Sequence, residues 1–357
     1  MNGWADVMEE RVYWLENTDD VFWRECYDRL PKTTRDVYHH PDYIRLYTEA
    51  RELASLFVYT RGADIYYYPF LKAPVSLANG FFDISAPYGY GGPIANTTDP
   101  IFIRQAYEAF YREAVERQVI AEVVKFHPLL GNSGLFTDIY RGRILKMCST
   151  VYVDLAAGED HLWGEIYTHA NRKNINKARR QKIEVRFDQS DIAWQAFLKL
   201  YEETMIANNA AGFYFFSHEY YRGLREKLAG CYVLVSCWLD GSAIAAMLVL
   251  LGEVFAHCHL IGTNRQFLST GVGNYLHHEL ISWCRAKGYK YLHIGGGRTD
   301  SDDDPLLLFK KNFSDATVPF HVGESILNEG VYRDVCARWE NGNPCRQSSG
   351  HLLKYRY

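Results

Sequence analysis

Three stretches of this 357-residue chain hold residue types that do chemistry at useful spacings. The first is Ser269-Thr270-Gly271-Val272-Gly273-Asn274, set between an apolar strand-like run and a helical one. Glycines there let backbone N–H groups approach an anion, and a helix N-terminus adds partial positive charge. Thr270, Gly271, Val272 and Gly273 are therefore the candidate cradle for an anionic group. The second is the basic run from Asn171 to Lys182. On a helix, Lys173, Lys177 and Arg180 share one face, while Ile175 and Ala178 anchor another. Such a face can neutralise a phosphate, or it can simply be solvated.

The third stretch runs from His293 through Gly295-Gly296-Gly297 and Asp300–Asp304 to Phe313. The aspartates lack the glycine and terminal glutamate of a calcium loop, so no metal site is expected. Asp304 before Pro305 instead predicts an N-cap with proline at the first helical position. The helix would carry Phe309, Lys310 and Phe313, with Lys310 placed to stabilise a developing oxyanion. Its alternative is a surface lysine lying along apolar neighbours. His257 and His259 alternate on a strand and so share a face, where either could accept an amine proton. Tyr214 and His127 are further candidates for a substrate cleft. No Ser-His-Asp or Cys-His spacing is present to suggest a covalent enzyme intermediate; direct attack of one substrate on the other fits better.

The bulk composition restricts these readings. A hydrophobic content of 48% with 23% charged residues is that of a globular protein. The length suits two domains. No apolar run approaches a membrane span, and the N-terminal stretch lacks the apolar centre of a signal peptide. The eight cysteines form no CxxC pair and several sit in apolar runs, which argues for reduced thiols, against zinc, and for a cytoplasmic protein. The net charge of −4 provides no global field for nucleic acid.

The elements that position these residues occur in the same order twice. Leu53–Thr60 and Ala63–Leu71 read as strands around Arg61-Gly62, followed by a short strand near Gly80–Ile84 and a glycine-rich loop. A helix over Ile101–Arg117 and a strand over Val119–Phe126 complete the set. Later, Cys231–Leu239 and Ser242–Leu251 flank Asp240-Gly241, and Val254–Ile261 precedes the Ser269–Gly273 loop. Asn274–Lys287 reads as a helix stopped at Gly288, and Tyr289–Ile294 as the next strand. The spacings from Gly62 to Gly241 and from Gly92 to Gly273 are nearly equal, which suggests a duplicated mixed α/β domain.

The run NRKNINKA at Asn171–Ala178, the strand end Gly295-Gly296-Gly297, and the helix with Phe309-Lys310 and Phe313 resemble the FemABX family of GNAT-like transferases. A loop similar to that of other members spans Ser85, Pro87, Tyr88, Gly89, Tyr90, Gly91, Gly92 and Pro93. The resemblance implies two tandem acyl-CoA N-acyltransferase-like domains of α/β (α+β) class, at 1–155 and 156–322. It further implies mixed central sheets, a cleft between the domains, and a segment 323–357 returning to the first. It implies an acyl or aminoacyl transferase acting on an amine of an envelope or sugar-nucleotide precursor, possessing no permanently bound cofactor. Acyl-CoA or aminoacyl-tRNA would be the co-substrate, with tRNA disfavoured by charge and by the lack of a long helical insertion. On this basis Lys310, His259 and His257 are the catalytic candidates. Arg172, Lys173, Lys177, Tyr88, Tyr90, Tyr214 and Phe309 are candidates for binding a small, phosphate-bearing amine acceptor. A noncatalytic phosphate-ligand-binding protein that kept the fold is the alternative.

Overall fold

A computed structural model describes residues 9–16, 20–48, 52–343 and 351–356. Cys345 and most of the N-terminal stretch lie outside these residues; the seven described cysteines are thiols, not disulfides. The chain forms two compact units, Met1–Met147 with Phe320–Tyr357, and Cys148–Pro319.

In chain order the elements begin with β1 (Glu10–Glu16), α1 (Asp20–Asp28), α2 (Pro41–Arg45), β2 (Leu53–Arg61), β3 (Asp64–Pro74), β4 (Phe82–Ser85) and β5 (Ile94–Ala95). α3 (Pro100–Glu116), β6 (Val119–Lys125), β7 (Arg143–Asp154), α4 (Glu159–His161), α5 (His169–Arg180), β8 (Glu184–Asp188), α6 (Asp191–Ala207) and α7 (His218–Lys227) follow. The rest are β9 (Tyr232–Leu239), β10 (Ser242–Leu251), β11 (Phe255–Thr263), α8 (Val272–Ala286), β12 (Tyr291–Gly296), α9 (Pro305–Lys311), β13 (Thr317–Ile326) and α10 (Glu329–Gly342).

In the first unit the strands lie in the order β1-β2-β3-β4-β6-β13, with β4 and β6 parallel and the other neighbours antiparallel. The β2–β3 turn is closed by Gly62 at φ 60°, a conformation that glycine adopts without a Cβ penalty. Strand alternation sorts the tyrosines of β3. Tyr66 and Tyr68 pack with Phe57, Phe70 and Phe110 of α3, whereas Tyr67 accepts a 2.6 Å hydrogen bond from Trp23 Nε1 of α1. The C-terminal residues Leu352, Leu353 and Tyr355 join a separate cluster with Ile120, Val335 and Trp339.

In the second unit the order is β7-β12-β11-β10-β9-β8, with only β11 and β12 parallel. Val233, Val235, Met247, Val249 and Ala256 enter one core with Ile175 of α5 and Leu276 of α8. The opposite face meets α6, whose Trp194 ring lies 5.4 Å from that of Tyr232. Gly262 permits this approach, since a Cβ there would collide with the backbone of Leu200 and Tyr201.

Each unit therefore has a hairpin, a further strand, a helix and a strand parallel to the third. The alignment of Gly92 with Gly273 does not survive. Gly273 lies in the first turn of α8, but Gly92 precedes β5 and the first-unit helix begins only at Pro100. Their equal spacing is a coincidence of loop lengths. Strands β1, β7, β8 and β13 are also additions to the sequence reading.

Candidate functional site

Strands β11 and β12 share three register pairs, Phe255↔Tyr291, Ala256↔Leu292 and His257↔His293, and then part. Beyond that point β11 continues with β10 and β12 with β7. Two parallel strands that separate leave main-chain groups facing a gap, and Lys310 of α9 supplies a partner there. Its Nζ donates to Gly296 O at 2.7 Å and lies 3.1 Å from the point a Cβ would occupy on Gly295. Burial pushes the ammonium pKa down to about 8, while Cys258, Cys148 and Asp304 act in the other direction. The Cys258 thiol, in turn, is pushed up to about 12 by burial.

α9 is held rigidly. Asp304 caps it, accepting from Leu306 N and Leu307 N through Oδ1 and from Arg298 N and Thr299 N through Oδ2. The aspartate cluster thus works as a helix cap, as the Asp304-Pro305 pair predicts. At the other end Asn312 O accepts from Asn171 Nδ2 at 2.8 Å, and Asn171 Oδ1 accepts from Asn274 Nδ2 at 2.9 Å. That asparagine chain joins α5, α8 and the end of α9. His277 of α8 completes the surroundings: its Nδ1 bonds Gly273 O at 2.7 Å, and its ring lies 5.5 Å from Phe309 and 5.1 Å from Phe313. Burial lowers its pKa to about 4, so the imidazole is neutral at physiological pH.

Lys310, Phe309, His277 and Gly273 are thus brought together. His257 and His259 are not part of this group. They occupy the other face of the sheet, where His259 Nε2 meets Tyr220 OH of α7 at 3.1 Å and the His257 ring lies 5.5 Å from His293. The pairing of Val249 with Cys258 but Leu248 with Leu260 leaves His259 as the extra residue of a bulge. Burial depresses its pKa to about 3, a weak base for catalysis near neutral pH. Tyr214 is half-buried, with its carbonyl bonded by Tyr201 OH at 2.9 Å.

The glycine loop departs from the cradle expected of it. Gly271 has φ 83°, and a Cβ on it would lie 2.9 Å from the carbonyl carbon of Asn174. Lys177 Nζ donates to Ser269 O at 2.6 Å, and Gln181 Nε2 to Thr270 O at 3.4 Å. Thr270 Oγ1 donates to Phe267 O and faces Val272 N at 3.3 Å. α5 therefore packs on Ser269, Thr270 and Gly271 and turns the Asn174 carbonyl toward the loop, while Gly273 faces Phe309 of α9. The Gly271 N–H already donates to Leu268 O and the Val272 N–H to Thr270 Oγ1.

Arg172 is also redirected. Its Nη1 donates to the carbonyls of Trp163 at 2.7 Å, Gly164 at 3.1 Å and Tyr167 at 2.7 Å, closing the π turn before α5. Lys173 is exposed on the same helix. In the first unit Tyr88 and Tyr90 belong to a pinned loop. Tyr43 OH donates to Tyr88 O at 2.7 Å, Asn132 Nδ2 to Gly91 O at 2.8 Å, and the Tyr90 ring lies 5.4 Å from Tyr38. Lys125 donates to Pro87 O at 3.2 Å in that loop, and burial brings its pKa to about 8. A lysine bonded to a carbonyl beside the parallel strand pair thus recurs in both units. Sequence reading missed Cys258, His277 and the asparagine chain, none of which carries a local signal.

Residues 169–303 match the family model described as acetyltransferase (GNAT) domain. Comparison with curated proteins gives no match. Among solved structures, FemX is similar with a TM-score of 0.69 at 11% identity, covering 91% of this chain and 99% of that one. The C-terminal domain of an Agrobacterium fabrum protein assigned as a lysylphosphatidylglycerol synthetase gives 0.56 at 13% identity, over 87% and 94% of the two chains. A tandem GNAT protein from the clavulanic acid biosynthesis pathway gives 0.50 at 10% identity, over 88% and 98%. At these identities the structures show the fold alone. The chain thus has the fold of FemX, with a match to the acetyltransferase (GNAT) domain model over residues 169–303.

Proposed function

We propose that the protein transfers an acyl or aminoacyl group to an amine, with Lys310 stabilising the charge that develops on the donor carbonyl oxygen. The observation that carries this reading is the desolvated Lys310 ammonium at the parting of β11 and β12. One of its three N–H groups bonds Gly296 O, and the others can meet an oxyanion. An ammonium removed from water exerts a stronger field on that oxygen than a solvated one. In the step itself the amine nitrogen bonds to the carbonyl carbon, the bond from that carbon to the leaving atom breaks, and the amine proton ends on the departing group. No residue of the chain is acylated.

Lys173 and Lys177, exposed on α5, are the proposed contacts for a phosphate-bearing acceptor of envelope or sugar-nucleotide type. The FemX-like fold and the similarity to a structure assigned as a lysylphosphatidylglycerol synthetase support an envelope acceptor. The donor is an activated acyl ester or thioester. The exposed lysines of α5 also suit one competing reading, a phosphate-ligand-binding protein without turnover. Mass spectrometry of amine acceptors incubated with the protein and a panel of acyl esters and thioesters decides between them. Acylated amine formed by the wild type and lost in Lys310→Ala is the expected result. Ligand binding without product across all donors would establish the binding protein instead.

A further inference from the structure

Beyond the transfer reading, the second unit exposes a set of large apolar side chains that its fold does not use. Phe213 is 61% exposed, Phe215 43%, Ile206 60% and Leu268 60%. Hydrogen bonds tie the segments that bear them into one region. Arg265, at the start of the turn that carries Leu268, donates to Ala207 O and to Asn208 Oδ1 at the end of α6, one residue from Ile206. Tyr201 of α6 holds Tyr214 O, between the two exposed phenylalanines. Lys177 of α5 holds Ser269 O, next to Leu268.

The charges of these segments have one sign. Residues 204–217, TMIANNAAGFYFFS, carry no charge, and 264–275 and 169–182 contain no aspartate or glutamate. In a chain of net charge −4, they nevertheless hold exposed Lys173, Lys177, Arg180, Lys182 and Arg265. On the side of α5 and Arg265 the uncharged aromatic tip is bordered by cations, with exposed Glu202 and Glu203 one turn back along α6. That cationic side complements an interface that is apolar inside and anionic at its surface. A protein partner for such a patch would need a matching acidic apolar face, whereas a bilayer of anionic lipids offers both features without shape matching. No helix among the described residues is long and apolar enough to cross a membrane, so attachment would be peripheral.

We propose that Phe213, Phe215, Ile206 and Leu268, with the cations of α5 and Arg265, form a docking surface for an anionic phospholipid bilayer. The aromatic rings enter the headgroup region, and the lysines and arginines lie over the phosphates. Electrostatic attraction and apolar burial then contribute separately, and each can be removed separately.

Sedimentation of the full-length protein with vesicles tests this without any need for turnover, so it stands or falls apart from the transfer reading. The protein should bind vesicles of phosphatidylglycerol with phosphatidylcholine, and bind them less as salt is raised from about 50 to about 500 mM. The double variant Phe213→Ser with Phe215→Ser should bind at least about tenfold more weakly, with unchanged circular dichroism. Leu268→Ser, on a separate turn, should weaken binding in the same direction and serves if the double variant misfolds. Failure to bind phosphatidylglycerol vesicles at low salt, or equal binding by the variants, overturns the proposal. So does a wild-type dimer that the phenylalanine substitutions dissociate, which would assign the patch to a second copy of the chain.

Discussion

The carbonyl of Asn174 in α5 faces the Cα of Gly271, with its carbon 2.9 Å from the point where a Cβ on that glycine would sit. Gly271 is therefore needed twice: for its φ of 83° and for the absence of a side chain against α5. Gly241 has φ 77° but nothing within 4 Å of its Cβ position, so it isolates the first requirement. Gly271→Ala should cost about 2–4 kcal/mol, by backbone strain plus displacement of α5. Gly241→Ala should cost only about 1 kcal/mol. Urea unfolding of the two variants checks the difference, and equal losses would show that α5 is not packed on the loop.

Glu122 of β6 is buried and accepts from Tyr68 OH at 2.8 Å and Tyr140 OH at 3.2 Å. Burial outweighs these two bonds and raises its pKa to about 7. The folded state therefore binds more protons than the unfolded state between about pH 4.5 and 7. Stability must fall as pH rises through that window, by on the order of 3 kcal/mol in all. Glu122→Gln keeps an acceptor for the tyrosines and removes the titration. Denaturation midpoints at pH 5 and pH 8 should differ less in Glu122→Gln than in the wild type, and the variant should be the more stable of the two at pH 8. An unchanged pH dependence would mean that Glu122 does not titrate in this range.

The doubled hairpins were legible because Gly62 and Asp240-Gly241 are turn residues between apolar runs, and because Gly288, at φ 84°, stops α8 where expected. β13 was not, since Pro319 and Gly323 interrupt it and its pairing with β6 depends on residues nearly two hundred positions earlier. The Asp304 cap was readable because a cap is a local bond. The partner of Lys310 was not, because Gly296 becomes available only where β12 leaves β11, and periodicity does not reveal where two strands part. His257 and His259 were correctly placed on a strand, but no sequence pattern says which face of a sheet receives α9.

Arg172 and its neighbours on α5 should separate by experiment. Arg172 Nη1 satisfies the carbonyls of Trp163, Gly164 and Tyr167. Arg172→Ala should lower stability by about 1–3 kcal/mol, as those carbonyls lose a charged donor. Lys173→Glu with Lys177→Glu should leave most of the stability intact but weaken binding of a phosphate-bearing ligand, with a loss that shrinks at high salt. Calorimetric titration with inorganic pyrophosphate at low and high ionic strength is the measurement. Identical affinities for wild type and double variant at low salt would return this helix to a solvated surface.

Lys310 offers the most direct test of the transfer chemistry. With its pKa near 8 the ammonium is mostly protonated at pH 7, and it becomes a neutral amine as the pH rises past 8. If it stabilises the oxyanion, turnover should fall above that pH. Lys310→Ala should lose about a hundredfold or more in kcat and also lose that alkaline limb. The groups facing Lys310 bound the interpretation. Cys258 titrates only near 12 and His277 near 4, so neither produces a transition around pH 8. Lys311 follows directly on α9 and projects about a hundred degrees around the helix. Lys311→Ala should therefore keep both the rate and the pH profile. Comparable small losses in the two alanine variants, or an alkaline limb that persists in Lys310→Ala, would take Lys310 out of the mechanism.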